Sequence, residues 1–498
     1  MQKTTFKPKF IAAFVALNLS PMAFAGQVYS GVDYQYFRDF AENKGKFTPG
    51  AQNIEVVNKK GESIGTMMQN APMIDFSVVS RNGVAALVGD QYIVSVAHNV
   101  GYSGVDFGME GSNPDQHRFG YNIVKRNNYK NDSTHPYMTD YHNPRLTKFV
   151  TEAAPIEMVS NMQGNTYGDL EKYPMRVRIG SGWQFLRDDN DNGNHIAMAY
   201  NYLTAGNTFM QGWANNGEVS LSGDVRYPNQ YGPLPISGSG GDSGSPMFIY
   251  DKTAGKWLLN GVLRSGHPYE GKENTYQIAR KNYLDEIIAR DLVTVFEATA
   301  ASYDWTADGN GSGTLIKDGR VAANTPLANY SLASSGSDES FGYAGPNPYV
   351  PAQHHGKNIY FGNLENGTVT LKNNIDQGAG GLTFEGDFVV QPTTDETWKG
   401  AGVSVSEGST VTWKIKNPAG DRLSKIGQGT LLVNGKGENL GDISVGDGLV
   451  VLNQQADEQN KKQAFNQLGI VSGRPTVKLE SDDQVNPNNI YFGFRGGR

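Results

Sequence analysis

The chain has 498 residues, more than one ordinary hydrophobic core holds, so two or more domains are expected. Its net charge of −7 argues against nucleic acid as the main partner, and the absence of cysteine excludes a disulfide framework. Glycine is high at 61 residues, about 12% against a usual ~7%, and with 25 tyrosines and little helical periodicity this favours a turn-rich, all-β protein.

Residues 1–25 read as a secretory signal peptide. Lys3, Lys7 and Lys9 form a positive start, and Phe10 to Leu19 is an apolar run too short to span a bilayer. Ala23-Phe24-Ala25 is a small-residue cleavage site, so the mature chain is expected to begin at Gly26. For a secreted chain the missing cysteines fit two readings. The protein crosses a second membrane unfolded, or its core is large enough to need no staples.

Residues 33–47 read as a short helix carrying Tyr36, Phe37 and Phe40 and ended by Asn43-Lys44-Gly45. Strands are expected over 76–79, 84–88 and 92–97, with turns at Asn82-Gly83 and Gly89-Asp90. Successive hairpins of this kind build barrels and sandwiches. Met247 to Tyr250 and Trp257 to Leu263 form another expected hairpin. Leu284, Ile287, Ile288 and Leu292 recur at helical spacing and predict a closing helix ending near residue 293.

Residues 300–356 are weakly patterned and read as a transition. Beyond them a glycine precedes a short β-rich run at Gly367, Gly386, Gly408, Gly429 and Gly448. A period near 20 residues with one strong strand per repeat predicts a parallel β-helix. The string Asn-Ile-Tyr-Phe-Gly occurs twice, at 358–362 and 489–493, and Gln454 to Leu468 reads as a polar, helix-prone insert. No terminal cap precedes Arg498, so a fragment of a longer polypeptide is expected.

The chemistry centres on Gly241-Asp242-Ser243-Gly244-Ser245-Pro246. A serine hydroxyl is a weak nucleophile and needs a base within hydrogen-bond reach, itself oriented by a carboxylate. Of the eight histidines, His98 in Val96-Ala97-His98-Asn99 ends an expected strand and opens a loop, which suits the base. In a chymotrypsin-type order the histidine precedes the aspartate by about 45 residues and the aspartate precedes the serine by about 93. Asp140, in Tyr137-Met138-Thr139-Asp140-Tyr141, fits that spacing better than Asp115 or Asp132. The N–H groups of Gly241 and Ser243 are candidates for an oxyanion hole.

Ser237 lies six residues before Ser243, where a trypsin-like protease carries an aspartate. Together with Leu263, Ser265 and Gly266 it is the candidate substrate pocket. No carboxylate stands at its base, which does not favour a basic residue before the scissile bond. Arg264 and His267 read as rim or surface. Asp188 to Gly193 begins like a calcium loop, but its twelfth position is Ala199 where a glutamate is needed, so a polar loop is expected. His354-His355 has no further ligand near in sequence and reads as two exposed histidines. No metal and no cofactor are expected.

These stretches resemble one family. Tyr34 to Phe47, Pro72 to Val79, Pro144-Arg145-Leu146 and Gly241 to Pro246 are similar to signatures of the immunoglobulin A protease-type autotransporters. Arg81 to Asn99, Asp115 to Phe119 and Phe492 to Arg498 are most similar to its adhesion and penetration branch. The resemblance implies an all-β passenger in which a chymotrypsin-like double β-barrel protease precedes a right-handed parallel β-helix. It places His98, Asp140 and Ser243 on the family's triad positions.

The expected division is a signal peptide over 1–25, a serine protease domain over 26–299, a transition over 300–356 and the first part of a β-helix over 357–498. Expected partners are protein substrates including the chain's own precursor, host cell-surface or matrix proteins, and further copies of the full-length protein. The expected location is secreted or on the bacterial surface, by way of the periplasm. The family's later β-helix and its outer-membrane β-barrel are missing from this sequence.

Overall fold

Short apolar segments separated by glycine and asparagine turns fold into antiparallel sheets in the first part of the chain and a parallel solenoid in the second. In this computed structural model the described residues are 26–99, 102–108, 118–129, 140–238, 240–266, 272–296, 301–307, 312–317, 319–326, 330–331, 353–354 and 356–497.

The first half-barrel is a five-stranded antiparallel sheet in the order Ala86–Gly89, Tyr92–Val94, Arg145–Leu146, Gly120–Lys125 and Gly104–Asp106. Leu87, Ile93, Val105, Phe107, Tyr121 and Ile123 fill it. The second half-barrel is a seven-stranded sheet in which Pro246–Asp251 lies between Met175–Gly180 and Lys256–Gly266. Met247, Phe248 and Ile249 are fully buried there, so the segment just after Ser243 is anchored in the largest core. Gln27–Tyr29 adds a parallel strand to Gln184–Arg187.

Several local expectations need correction. The first helix is shorter than 33–47. It spans Tyr34–Glu42, capped by the Asp33 side chain, and stops where Asn43 turns left-handed at a φ of 53°. A 3-10 turn over Gly45–Phe47 follows. The strand expected at 76–79 is instead a 3-10 turn, Phe76–Val78, because the Asp75 carboxylate accepts from the Ser77 N–H and bends the chain. Strand Tyr92–Val94 is shorter than 92–97, and beyond it only Ser95 bridges across, to His142. The closing helix is Lys281–Arg290 and buries Leu284 and Ile287. Leu292 lies outside it and opens a strand, Leu292–Phe296, that pairs in parallel with the first solenoid strand.

The second part of the chain is a right-handed parallel β-helix of about 6 turns. The repeats build two ladders rather than one: the first two turns each span both with a single long strand, Asn358–Leu371 and Leu382–Pro392, and the next turns divide it in two. One ladder runs from Leu382–Pro392 through Thr410–Trp413, Thr430–Val433 and Leu449–Leu452 to Thr476–Leu479. The other runs from Asn358–Leu371 to Ile490–Phe492, so the two Asn-Ile-Tyr-Phe-Gly copies sit in its first and last strands. Side chains stack in register: Val369, Val390, Trp413, Val433 and Leu452 form one buried column. The insert Gln454 to Leu468 forms no helix, because Ala464 and Phe465 turn inward and are fully buried in the solenoid core. Among the described residues no helix is long and apolar enough to cross a membrane.

The first half-barrel lies against the solenoid through residues 145–152. Arg145 donates from Nη2 to the carbonyls of Gly356 and Ala379, both at 2.9 Å. Lys148 Nζ lies 2.6 Å from Asp421 Oδ1, and the Phe149 N–H donates to the Ala401 carbonyl at 3.0 Å. The Phe149 ring fills space over Gly381 that a side chain there would occupy, since a Cβ on Gly381 would stand 2.2 Å from Cζ. Arg422 covers the Phe119 ring at 3.8 Å.

Candidate active site

Three segments far apart in sequence meet in the cleft between the half-barrels. His98 follows strand Tyr92–Val94, Asp140 precedes strand Arg145–Leu146, and Ser243 precedes strand Pro246–Asp251. The His98 ring spans the other two, with Nε2 2.7 Å from Ser243 Oγ and Nδ1 2.7 Å from Asp140 Oδ2. Asp140 Oδ1 also accepts the backbone N–H of His98 at 2.9 Å. The carboxylate therefore fixes the ring at two points, while only 1% of its own side chain is exposed against 24% for His98. Nδ1–H donates to the carboxylate, which leaves Nε2 free to accept from the serine hydroxyl. Asp115 and Asp132, the other carboxylates weighed from spacing, lie outside the described residues, as does Tyr137.

The serine loop is held from several sides. Asp242 is buried, with Oδ2 3.1 Å from Arg178 Nη2 and Oδ1 accepting the Gly182 N–H at 2.7 Å. Arg178 also donates to Ser245 Oγ at 2.9 Å. Asn99 Nδ2 donates to the Ser243 carbonyl at 2.6 Å, tying the loop to the residue after His98. Gly241 and Gly244 take φ of 88° and 83°, a region that L side chains rarely adopt. At Gly244 space also forbids a side chain: a Cβ would stand 2.0 Å from Ser95 Oγ and 2.4 Å from the Val84 carbonyl.

A second histidine sits behind the first. His142 is fully buried between Tyr102, whose hydroxyl donates to Nε2 at 2.8 Å, and Asn128, whose Oδ1 lies 3.2 Å from Nδ1. Burial holds its pKa well below the ordinary imidazole value, and the positive charge of Arg126 acts in the same direction. It is neutral at physiological pH.

The residues expected to line a pocket divide. Ser237 is fully buried, and its backbone exchanges bonds with Gln27, at 3.0 and 3.1 Å. Leu263 is buried and bonds through its backbone to Gly244 and Ser245. Ser265 is exposed and Gly266 half-buried. Asn274, which sequence reading missed, joins the two walls: it accepts the Gly238 N–H at 2.8 Å and donates to the Gly238 carbonyl at 3.1 Å. Arg178, Asn99 and Asn274 carry no local signature, because their roles come from contacts distant in sequence. Arg264 lies near Glu218, Nε to Oε1 3.4 Å. His267, His355 and the His354 side chain lie outside the described residues. In the loop at 188–193 the Asp188 carboxylate accepts the N–H groups of Asn190 and Asn192, at 2.9 and 2.8 Å.

Comparison with known proteins agrees with this architecture. The immunoglobulin A1 protease family matches residues 25–282. The adhesion and penetration protein autotransporter of Haemophilus influenzae is 59% identical over 100% of this chain and 36% of its own length. An immunoglobulin A1 protease autotransporter of Haemophilus influenzae is 42% identical, again over 100% of this chain and 31% of its own. The chain thus spans about a third of the length of these relatives. The crystal structure of the Haemophilus influenzae Hap adhesin superposes with a TM-score of 0.87 at 57% identity, covering 95% of this chain and 51% of that one. The chain belongs to the immunoglobulin A1 protease family, as an autotransporter passenger with a chymotrypsin-like double barrel followed by a parallel β-helix.

Proposed function

We propose that this chain is a secreted serine endopeptidase in which Ser243 is the nucleophile, His98 the general base and Asp140 its orienting carboxylate. The observation that carries the reading is the His98 ring, 2.7 Å from both partners at its two nitrogens. Ser243 Oγ attacks the scissile carbonyl while His98 Nε2 takes its proton, and Asp140 stabilises the imidazolium that forms. The N–H groups of Gly241 and Ser243 receive the developing oxyanion, each worth about 3 kcal/mol to the transition state. His98 then protonates the leaving amine, which departs to leave an acyl-serine. Water, deprotonated by His98, releases the acyl half and restores Ser243.

The substrates are extracellular proteins and the chain's own precursor, and the protein acts outside the cell or on its surface. Ser265 and Gly266 border the acyl side of the bound chain, with Leu263, Ser237 and Asn274 buried behind them. Replacing Ser243 with Ala tests the reading. Hydrolysis of a protein substrate and self-release should both cease, and undiminished cleavage would refute it.

A second reading is supported by the relatives named for adhesion and penetration and for adhesin. Here the solenoid binds host cells or matrix proteins, or other copies of the full-length protein, and the protease serves only self-release. Equal binding of epithelial cells by the wild type and by Ser243→Ala would favour adhesion independent of catalysis.

A further inference from the structure

Among the described residues, four of the ten exposed large apolar side chains fall between residues 196 and 202: Ile196, Met198, Tyr200 and Tyr202. Met198 and Tyr200 are 56% and 54% exposed. Isolated apolar residues on a surface are ordinary, but a contiguous group marks a place where another molecule sits. The run is held in shape. The Tyr200 N–H donates to the Ser181 carbonyl at 2.5 Å, Tyr200 takes a φ of 67°, and the Arg38 guanidinium lies 4.2 Å above the Tyr202 ring.

Its position gives the group a direction. Ala199 packs against Gly241, where a Cβ would stand 3.0 Å from the alanine methyl. The middle of the apolar run therefore lies beside Gly241, one of the two residues proposed to receive the oxyanion. On the other side of Ser243, Leu263 exchanges backbone bonds with Gly244 and Ser245, so the Leu263–Gly266 wall lies opposite the run. A polypeptide laid across Ser243 with its acyl half along Leu263–Gly266 leaves the cleft over residues 196–202.

We propose that residues 196–202 form the subsite for the leaving-group side of a protein substrate and select apolar side chains in the first positions after the scissile bond. The proposal rests on the reading of Ser243 as nucleophile and deepens it. The occupant is an extended segment of substrate, and the argument for it is continuity with the cleft. Met198 and Tyr200 supply most of the exposed apolar contact.

The test is digestion of denatured casein followed by mass spectrometry of the new termini. The wild type should show apolar residues enriched several-fold in the first three positions of the new N-termini, relative to casein's own composition. In the double variant Met198→Ser, Tyr200→Asn that enrichment should fall to the background, with the residues at the new C-termini as internal reference. Both sites are exposed, and asparagine tolerates the left-handed backbone at 200. Leu440→Ser, at an exposed solenoid position, is the control and should keep the wild-type profile.

Enrichment that is absent from the wild type, or unchanged in the double variant, would overturn the proposal. So would a dimer, seen by sedimentation, that the double variant dissolves while the cleavage profile stays the same; the run would then be a self-association surface. Labelling of Ser243 by a fluorophosphonate separates the two levels. Labelling without enrichment refutes this subsite alone, whereas no labelling refutes the nucleophile and the subsite with it.

Discussion

Arg178 and Asp242 form an ion pair inside the second half-barrel, Nη2 to Oδ2 3.1 Å, with each side chain 1% exposed. Asp242 immediately precedes Ser243, so this pair holds the serine loop from beneath. Removing one charge of a buried pair strands the other, at a cost of about 3–5 kcal/mol. Arg178→Met should therefore lower stability by about that amount in urea denaturation. It should also abolish peptidase activity in protein that remains folded, because Asp242 then loses its anchor. Wild-type stability in the variant would contradict the assignment.

The backbone at Gly244 makes a second prediction. Alanine there places a methyl within 2.4 Å of the Val84 carbonyl at a φ of 83°. The Val84 carbonyl is backbone, and Ser95 Oγ is held in place by donating to it at 2.6 Å, so Gly244→Ala should cost at least about 3 kcal/mol. It should also displace Ser243 from His98, read as loss of fluorophosphonate labelling. Gly255→Ala, with a φ of 66° but open space around its Cβ, should be milder and keep the labelling.

His142 links stability to pH. Its folded-state pKa lies well below the ordinary 6.5 because burial disfavours the imidazolium. The unfolded chain therefore binds a proton near pH 6.5 that the folded chain refuses. Its contribution is complete above that pH and is lost as the pH falls below it, with a slope of up to about 1.4 kcal/mol per unit. Urea midpoints from pH 7 downward should fall more steeply for the wild type than for His142→Gln. Parallel curves would refute a buried neutral histidine.

The solenoid contact makes a fourth prediction. Lys148 and Asp421 meet at 2.6 Å with side chains 15% and 4% exposed. Burial pulls the Lys148 pKa down, while Asp421 opposes it. Asp421→Asn leaves a mostly buried ammonium without its charge partner, at about 3 kcal/mol. Scanning calorimetry should show the barrels and the solenoid melting closer to independently in this variant. A single unchanged transition would count against a role for the pair in coupling them.

The fold was legible in the sequence where a repeated physical rule operates. Glycines about twenty residues apart, each followed by β-branched residues, mark turns that stack, and Val390, Trp413, Val433 and Leu452 occupy equivalent places in successive turns. The second ladder escaped notice because segments such as Arg422–Ile426 are mixed in polarity; Lys425 there is buried by donating to the carbonyls of Gly427, Gly429 and Asp447. Phe76–Val78 has the composition of a strand, but one Asp75 side-chain bond redirects it. In the site, His98 and Ser243 stand in distinctive local strings. Arg178 reads as one of many strand residues until the fold carries it beneath Asp242.

The most direct test of the central claim is mass-spectrometric mapping of a fluorophosphonate adduct on the folded chain. The account predicts a single adduct on Ser243, none in Ser243→Ala, and labelling slowed by about a hundredfold or more in His98→Ala, the share of the rate that a general base supplies. An adduct on another residue, or Ser243 labelling at the same rate without His98, would contradict it.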